Sequence, residues 1–181
     1  DDRMGGGAGD DELSGGAGND TMAGQAGDDT VSGAGGDDRL RGGLGDDELD
    51  GGAGADTVIG GSGDDVLRGG LDRDRLRGGE GEDEFFFSEF GDANYDRIMD
   101  FEQGLDSIVL DGSVFTAITA ASLENAFALS EEPLTATDHL IYEGQTGKIY
   151  YDIDGSGAAV AELVAQVGRG LDLDWNDFVM A

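Results

Sequence analysis

The sequence has no cysteine, one proline, one histidine and one tryptophan in 181 residues. Without cysteine there is neither a disulfide framework nor a thiolate metal site, and a single histidine excludes the histidine-rich sets that hold zinc. His139, beside Asp138 and ahead of an apolar segment, reads as a surface or turn residue. Positive charge is also scarce, with 10 Lys and Arg against 41 Asp and Glu and a formal net charge of −31. No basic patch stands out for nucleic acid, and such a polyanion is repelled by phosphates and anionic lipid. No apolar run approaches the roughly 20 residues of a membrane span. The opening Asp-Asp-Arg-Met has neither the basic flank nor the apolar core of a signal peptide. HExxH, GxSxG and the phosphate-binding loop are all missing, so no nucleophile or zinc-hydrolase constellation can be named. The partner this composition favours is a cation.

What the chain has in excess is glycine, 35 residues of it, concentrated before residue 87. From Gly6 to Phe86 the sequence repeats Gly-Gly-x-Gly-x-Asp-x-U-x nine times without an insertion, U being a large apolar residue. Position six is always aspartate: Asp11, Asp20, Asp29, Asp38, Asp47, Asp56, Asp65, Asp74 and Asp83. Position eight is always apolar: Leu13, Met22, Val31, Leu40, Leu49, Val58, Leu67, Leu76 and Phe85. Asp1, Asp2 and Met4 fit positions five, six and eight of a further repeat, as expected of a chain that begins mid-repeat within something longer.

A short fixed period builds a stacked architecture, because one unit cannot bury its apolar residue alone. Glycines at positions one, two and four allow the positive-φ turns and close backbone approach that a sharp corner needs. The x-U-x triplet then alternates out, in, out. Two turns and two three-residue strands close one coil, so each repeat stacks on the one two ahead. Leu13, Val31, Leu49, Leu67 and Phe85 thereby form an inward ladder in one parallel sheet, and Met22, Leu40, Val58 and Leu76 in the other. One buried side chain per nine ordered residues is too little to hold such a roll.

Position six supplies what is missing. Stacking sets Asp11 near Asp29, Asp20 near Asp38 and so on, and these like charges repel unless a cation lies between them. Calcium suits the donor set best. It accepts six to eight oxygens in flexible geometry, and a glycine-rich turn can aim carbonyls beside the carboxylates, whereas magnesium wants a tight octahedron.

The repeats resemble the RTX calcium-binding nonapeptide, known as a parallel β-roll motif. The resemblance implies that each calcium lies between turns n and n+2, held by aspartate carboxylates and by carbonyl oxygens of alternating turn positions. On this chain the carbonyl donors fall at Gly7, Gly9, Gly16, Gly18, Gly27, Gly36, Gly43, Gly45, Gly52, Gly54, Gly61 and Gly63. Nine turns then give seven sandwiched ions, and an eighth if Asp2 pairs with Asp20. Gln25 and Ala34 replace the second glycine and Asp72 the glycine at position four, so the turn from Gly69 to Asp74 is expected to be strained or weak.

The aromatic run Phe85, Phe86, Phe87 and Phe90 ends the repeats and is read as the start of a cap over the open end of the roll. Residues 1–86 are therefore assigned to the roll and 87–181 to a capping region, mainly β with one short helix. Gly104, Asp106 and Ile108 match positions four, six and eight of a degenerate tenth turn. Asp100 and Asp106 either complete a last calcium site or simply border a hairpin turn. A helix is expected from Thr119 to Leu129, stopped by Ser130 to Pro133. Strands are expected at Leu140–Tyr142, Lys148–Ile153 and about Ala159–Val167. The acidic turn from Asp152 to Gly157 resembles the start of an EF-hand loop, but Leu163 stands where the bidentate glutamate belongs, so a hairpin turn is the plainer reading.

The order DRIMDF, SIVLD, TGKIYYDIDGSG and a closing DFV is similar to the region following the repeats in serralysin-type metalloproteases and other RTX exoproteins. That resemblance implies a secreted, extracellular protein with a type I secretion signal at Asp177–Ala181, whose partners are calcium and the type I export machinery. The expected role is a calcium-triggered folding and secretion module, without catalysis of its own. Arg39, Arg41, Arg75 and Arg77 share one outer sheet face. They either bind an acidic polysaccharide, which would make the chain an adhesin or glycan-binding module, or are solvated charge that blunts the surface.

Overall fold

A computed structural model describes residues 1–91, 93–129, 138–155 and 161–181. From the N-terminus the chain lays down strands β1 (Arg3–Ala8), β2 (Glu12–Ala17), β3 (Thr21–Ala26), β4 (Thr30–Gly35) and β5 (Arg39–Leu44). The coil continues with β6 (Glu48–Ala53), β7 (Thr57–Ser62), β8 (Val66–Leu71), β9 (Arg75–Glu80) and β10 (Glu84–Phe87). Odd strands pair in parallel in one sheet and even strands in the other, each with the strand two ahead. The protein is an all-β parallel solenoid.

The inward ladders lie where position eight places them. Met22, Leu40, Val58 and Leu76 occupy sheet one and Val31, Leu49, Leu67 and Phe85 sheet two, all at most 1% exposed. Met4 and Leu13, on the first coil, are only partly buried.

The strands are six residues long, not three. They run from position seven to position three of the next repeat, and hydrogen-bond registers resume beyond the first glycine, as in Gln25 with Gly43. Only positions four to six turn the corner. Backbone pairing thus extends through residues that composition alone marks as turn.

Past residue 87 the sheets continue. Strand β11 (Asp96–Ile98) pairs with β9, and β12 (Ser107–Leu110) with β10, both in parallel. Ile98 stacks in register on Leu76, and Ile108 on Phe85. Sheet one then accepts β16 (Glu162–Gln166), followed by antiparallel β15 (Lys148–Tyr151) and β14 (Leu140–Glu143). Sheet two ends on β17 (Phe178–Met180), which pairs with β12. Phe90, Phe115 and Tyr151 pack with ring centroids 5.0 to 5.5 Å apart over the end of the roll.

The helix is shorter than expected. Helix α1 covers only Leu123–Ala126, and Phe127–Leu129 form strand β13 instead. Pairing with β14 satisfies backbone groups along that strand's open edge. The proposed stop from Ser130 to Pro133 lies outside the described residues. Strand β15 stops at Tyr151 rather than Ile153, because the Asp152 Oδ1 accepts the N–H groups of Asp154 (3.2 Å) and Gly155 (3.1 Å) and turns the chain. The rest of that loop, Ser156 and Gly157, also lies outside the described residues. His139 is half-buried rather than a plain surface residue, with Nδ1 2.7 Å from the Asp152 carbonyl.

Candidate metal centres

Every corner of the roll carries one position-six aspartate, and the stacking gathers these into two columns. Along one edge stand Asp11, Asp29, Asp47, Asp65 and Asp83. Along the other stand Asp20, Asp38, Asp56 and Asp74. Within each column the backbone N–H of one aspartate donates to Oδ1 of the aspartate 18 residues on, as from Asp11 to Asp29 (2.8 Å) and from Asp38 to Asp56 (2.7 Å). That single bond fixes each carboxylate after Asp11, which begins its column. The second oxygen, Oδ2, is buried without a hydrogen-bond partner in all nine.

A buried carboxylate with one orphaned oxygen is costly, and a column of them more so. Burial comes first among the causes that raise Asp56 and Asp65 to a pKa of about 7, and Asp74 and Asp83 to about 6, with neighbouring carboxylates adding to the shift. The orphaned oxygens repeat at every corner, so they are a donor set rather than a packing fault. Ionised oxygens spaced along a line of backbone carbonyls suit a hard divalent cation.

The glycines explain how the backbone reaches this geometry. Gly7, Gly9, Gly16, Gly18, Gly27, Gly36, Gly43, Gly45, Gly52, Gly54, Gly61 and Gly63 all have φ between 91° and 141°. From Gly27 onward a Cβ at these positions would meet a carbonyl oxygen of the turn below, as Gly27 would meet that of Gly9 at 2.5 Å. Position-one glycines have no positive φ. A Cβ there would run into the same repeat's aspartate, at 2.5 Å from Oδ2 of Asp11 for Gly6. The first glycine thus makes room for the carboxylate. Departures are accommodated by strain: Gln25 (φ 90°), Ala34 (φ 75°) and Asp72 (φ 80°) all adopt left-handed conformations. Asp72 is therefore not the one strained corner, and Ala34, which lacks a polar side chain for local bonding, bears a comparable cost.

The columns do not end as the sequence suggests. Asp96 continues the column of Asp74. Its Oδ1 accepts the Asp74 N–H at 3.0 Å, its Oδ2 is buried and unpartnered, and burial followed by the Asp74 charge pushes it up to about 9. The signal was present in Asp96-Arg97-Ile98, an Asp-x-U triplet displaced by a four-residue insertion. Asp106 continues the other column, accepting the Asp83 N–H at 3.2 Å, but its Oδ2 is already taken by the Glu102 N–H at 2.7 Å. Asp100 is not brought to either column. Its oxygens meet the Gly78 N–H (3.1 Å) and the Arg77 Nε (3.0 Å). At the other end, Asp2 reaches the column only through its backbone, its N–H donating to Oδ1 of Asp20.

Position five forms a second ladder that sequence reasoning missed. Side chains of Asp10, Asn19, Asp28, Asp37, Asp46 and Asp64 accept the backbone N–H of the position-five residue two turns later, at 2.8 to 3.1 Å. This ladder points opposite to that of position six, so each corner is tied to both neighbours. Asp or Asn at position five in six of the nine repeats was the readable signal.

Among solved structures, the chain is similar to the extracellular lipase LipA of Serratia marcescens, at 18% identity and TM-score 0.43, over 96% of this chain and 38% of that one. It is also similar to the AlgE6R3 subunit of the Azotobacter vinelandii mannuronan C5-epimerase, at 24% identity and TM-score 0.30, over 96% and 80% of the two chains. This chain thus spans well under half the length of the lipase. No curated protein matches the sequence. The family model of the RTX calcium-binding nonapeptide repeat matches five overlapping segments that together run from residue 1 to residue 92, just over half of the 181 residues. With its buried carboxylate columns and glycine corners, the chain belongs to the RTX calcium-binding nonapeptide repeat family.

Proposed function

We propose that this chain is a calcium-triggered folding and secretion module of an extracellular protein exported by a type I route, and that it carries no catalysis itself. The observation that carries the reading is the set of ten buried, unpartnered Oδ2 atoms in two columns of five. Four gaps in each column make eight calcium positions, the last being between Asp74 and Asp96 rather than between Asp2 and Asp20. Extracellular modules bind calcium with dissociation constants of about 10⁻⁴ to 10⁻³ M. At tenfold that concentration each site adds about 1.4 kcal/mol, and at cytosolic calcium almost nothing. The unliganded chain, with its −31 charge, then stays extended and exportable. Calcium outside the cell folds it.

The test is a calcium titration followed by far-ultraviolet circular dichroism, with the bound metal counted after desalting. A β spectrum that appears with calcium and about eight equivalents support the reading. A spectrum unchanged by excess EGTA overturns it.

A further inference from the structure

In a protein with four acids for each base, the bases are not scattered. Six of the 10 lie on the outer face of sheet one: Arg3, Arg39, Arg41, Arg75, Arg77 and Arg97, all exposed. Among the described residues only Arg77 of these makes an ion pair. The registers place Arg3, Thr21, Arg39, Thr57 and Arg75 in one row across successive strands of this face. On the outer face of sheet two the same row reads Glu12, Thr30, Glu48, Val66 and Glu84. Both rows repeat their charge on every second strand, a spacing of roughly 9.6 Å.

We propose that these two faces bind each other between copies of this chain. The coil crosses the two sheets in opposite directions, so the arginine and glutamate rows lie toward opposite edges of the roll. A second copy, turned half a revolution about the sheet normal, brings one row over the other with the roll axes antiparallel. Arg3 then meets Glu84, Arg75 meets Glu12, and Arg39 meets Glu48, which also pairs with Arg68 of its own chain at 2.6 Å. In the adjacent row Arg41 meets Asp50, while Arg68 falls over Ala23 and Arg77 over Ser14. Apart from Arg39 and Arg68, which share Glu48, no like charges oppose each other, and the capping regions lie at opposite ends of the pair.

Faces of five strands by about six residues bury about 480 Å² on each partner, below the standard size of a specific interface, so the association is weak and reversible. Eight bound calcium ions reduce the formal charge from −31 to about −15, and salt at physiological strength screens distant repulsion more than it screens apposed pairs. The contact is heterologous, each added copy offering a fresh face, so growth is open-ended. This inference rests on the calcium-folded roll, which circular dichroism reports independently of association.

The experiment is sedimentation velocity of the calcium-loaded chain over a concentration series. The wild type should sediment faster as concentration rises. Arg3→Glu with Arg75→Glu, and separately Glu12→Arg with Glu84→Arg, should each weaken association by at least about tenfold, and an equimolar mixture of the two should restore it. Arg3→Gln with Arg75→Gln replaces the first variant if that one loses its calcium-dependent β spectrum. A wild type that stays monomeric, or variants that associate as it does, overturn the proposal. A monomeric wild type that binds heparin, with binding lost in the arginine variant, also overturns it and assigns the face to a linear polyanion.

Discussion

The roll and the cap are both rich in buried carboxylates, yet they treat them differently. In the cap, Asp106, Asp152 and Asp177 each accept at least one backbone N–H from their own turn. Asp106 receives two, from Asp83 and Glu102, Asp152 receives those of Asp154 and Gly155, and Asp177 Oδ2 receives that of Asp174 at 2.8 Å. In the roll each position-six aspartate after Asp11 receives one N–H, from a neighbour 18 residues away, and its other oxygen receives none. The cap adds an aromatic core of Phe90, Phe115 and Tyr151, where the roll has one apolar side chain per repeat. Turns of varied sequence can wrap a carboxylate. A strict nonapeptide can offer each one only a single donor, and leaves the second oxygen for a metal.

The strongest way to break this comparison is to remove calcium from both regions at once. EGTA should abolish most of the far-ultraviolet β signal, while the near-ultraviolet tyrosine band from Tyr142 and Tyr151, both buried in the cap, persists. Simultaneous loss of both bands would show that roll and cap are one cooperative unit.

Acidity should substitute partly for calcium in the roll. Asp56 and Asp65 sit at about 7, and Asp74 and Asp83 at about 6, against an ordinary value of 3.8. Their folded forms hold protons that the unfolded chain releases, so this stability is full below the unfolded pKa and is lost as pH rises through 6 to 7. In EGTA the β signal should therefore grow as pH falls from about 8 to about 5, and calcium affinity should drop over the same interval as protons compete. A metal-free spectrum that does not vary with pH would sink this expectation.

A single substitution in each region gives a smaller contrast. Asp56→Asn removes charge from two gaps of its column and should release two calcium ions, costing about 3 kcal/mol at tenfold saturation. Asp152→Asn keeps a carbonyl oxygen for the same two N–H groups and should cost less than about 1 kcal/mol. Denaturant unfolding in calcium, with a count of bound metal, separates them. Equal losses would mean that the roll does not depend on its carboxylates in the way its orphaned oxygens imply.

The period of nine made most of the roll legible, because the repeat fixes register. Once Leu40 lies inward, Val58 and Leu76 must follow. What it concealed was strand length. Pairing such as Gln25 with Gly43 passes through residues that turn chemistry alone would leave unpaired. The ladder at position five was also hidden, since an exposed Asp28 reads as solvated charge until its oxygen is seen on the Asp46 N–H at 2.9 Å. Beyond Phe87 insertions break the period, and local pattern cannot tell that Phe127 to Leu129 will leave a helix to pair with β14. Asp96 was lost for the same reason, being 22 residues from Asp74 rather than 18.

Asp96 and Asp106 provide the finest test, because they end the two columns with opposite endowments. Both are buried, and both hold Oδ1 against the N–H of the last repeat's aspartate on their edge. They differ at Oδ2, which in Asp106 accepts the Glu102 N–H and in Asp96 accepts nothing. Asp96→Asn should therefore lose one calcium ion, with a stability cost of about 1.4 kcal/mol at tenfold saturation. Asp106→Asn should keep the full complement, losing only the hydrogen bond that its new amide nitrogen cannot accept, about 1 kcal/mol. Isothermal titration in calcium counts the ions in each. One ion lost from Asp106→Asn and none from Asp96→Asn would show that an orphaned oxygen does not mark a metal position here, and would remove the main support for counting eight.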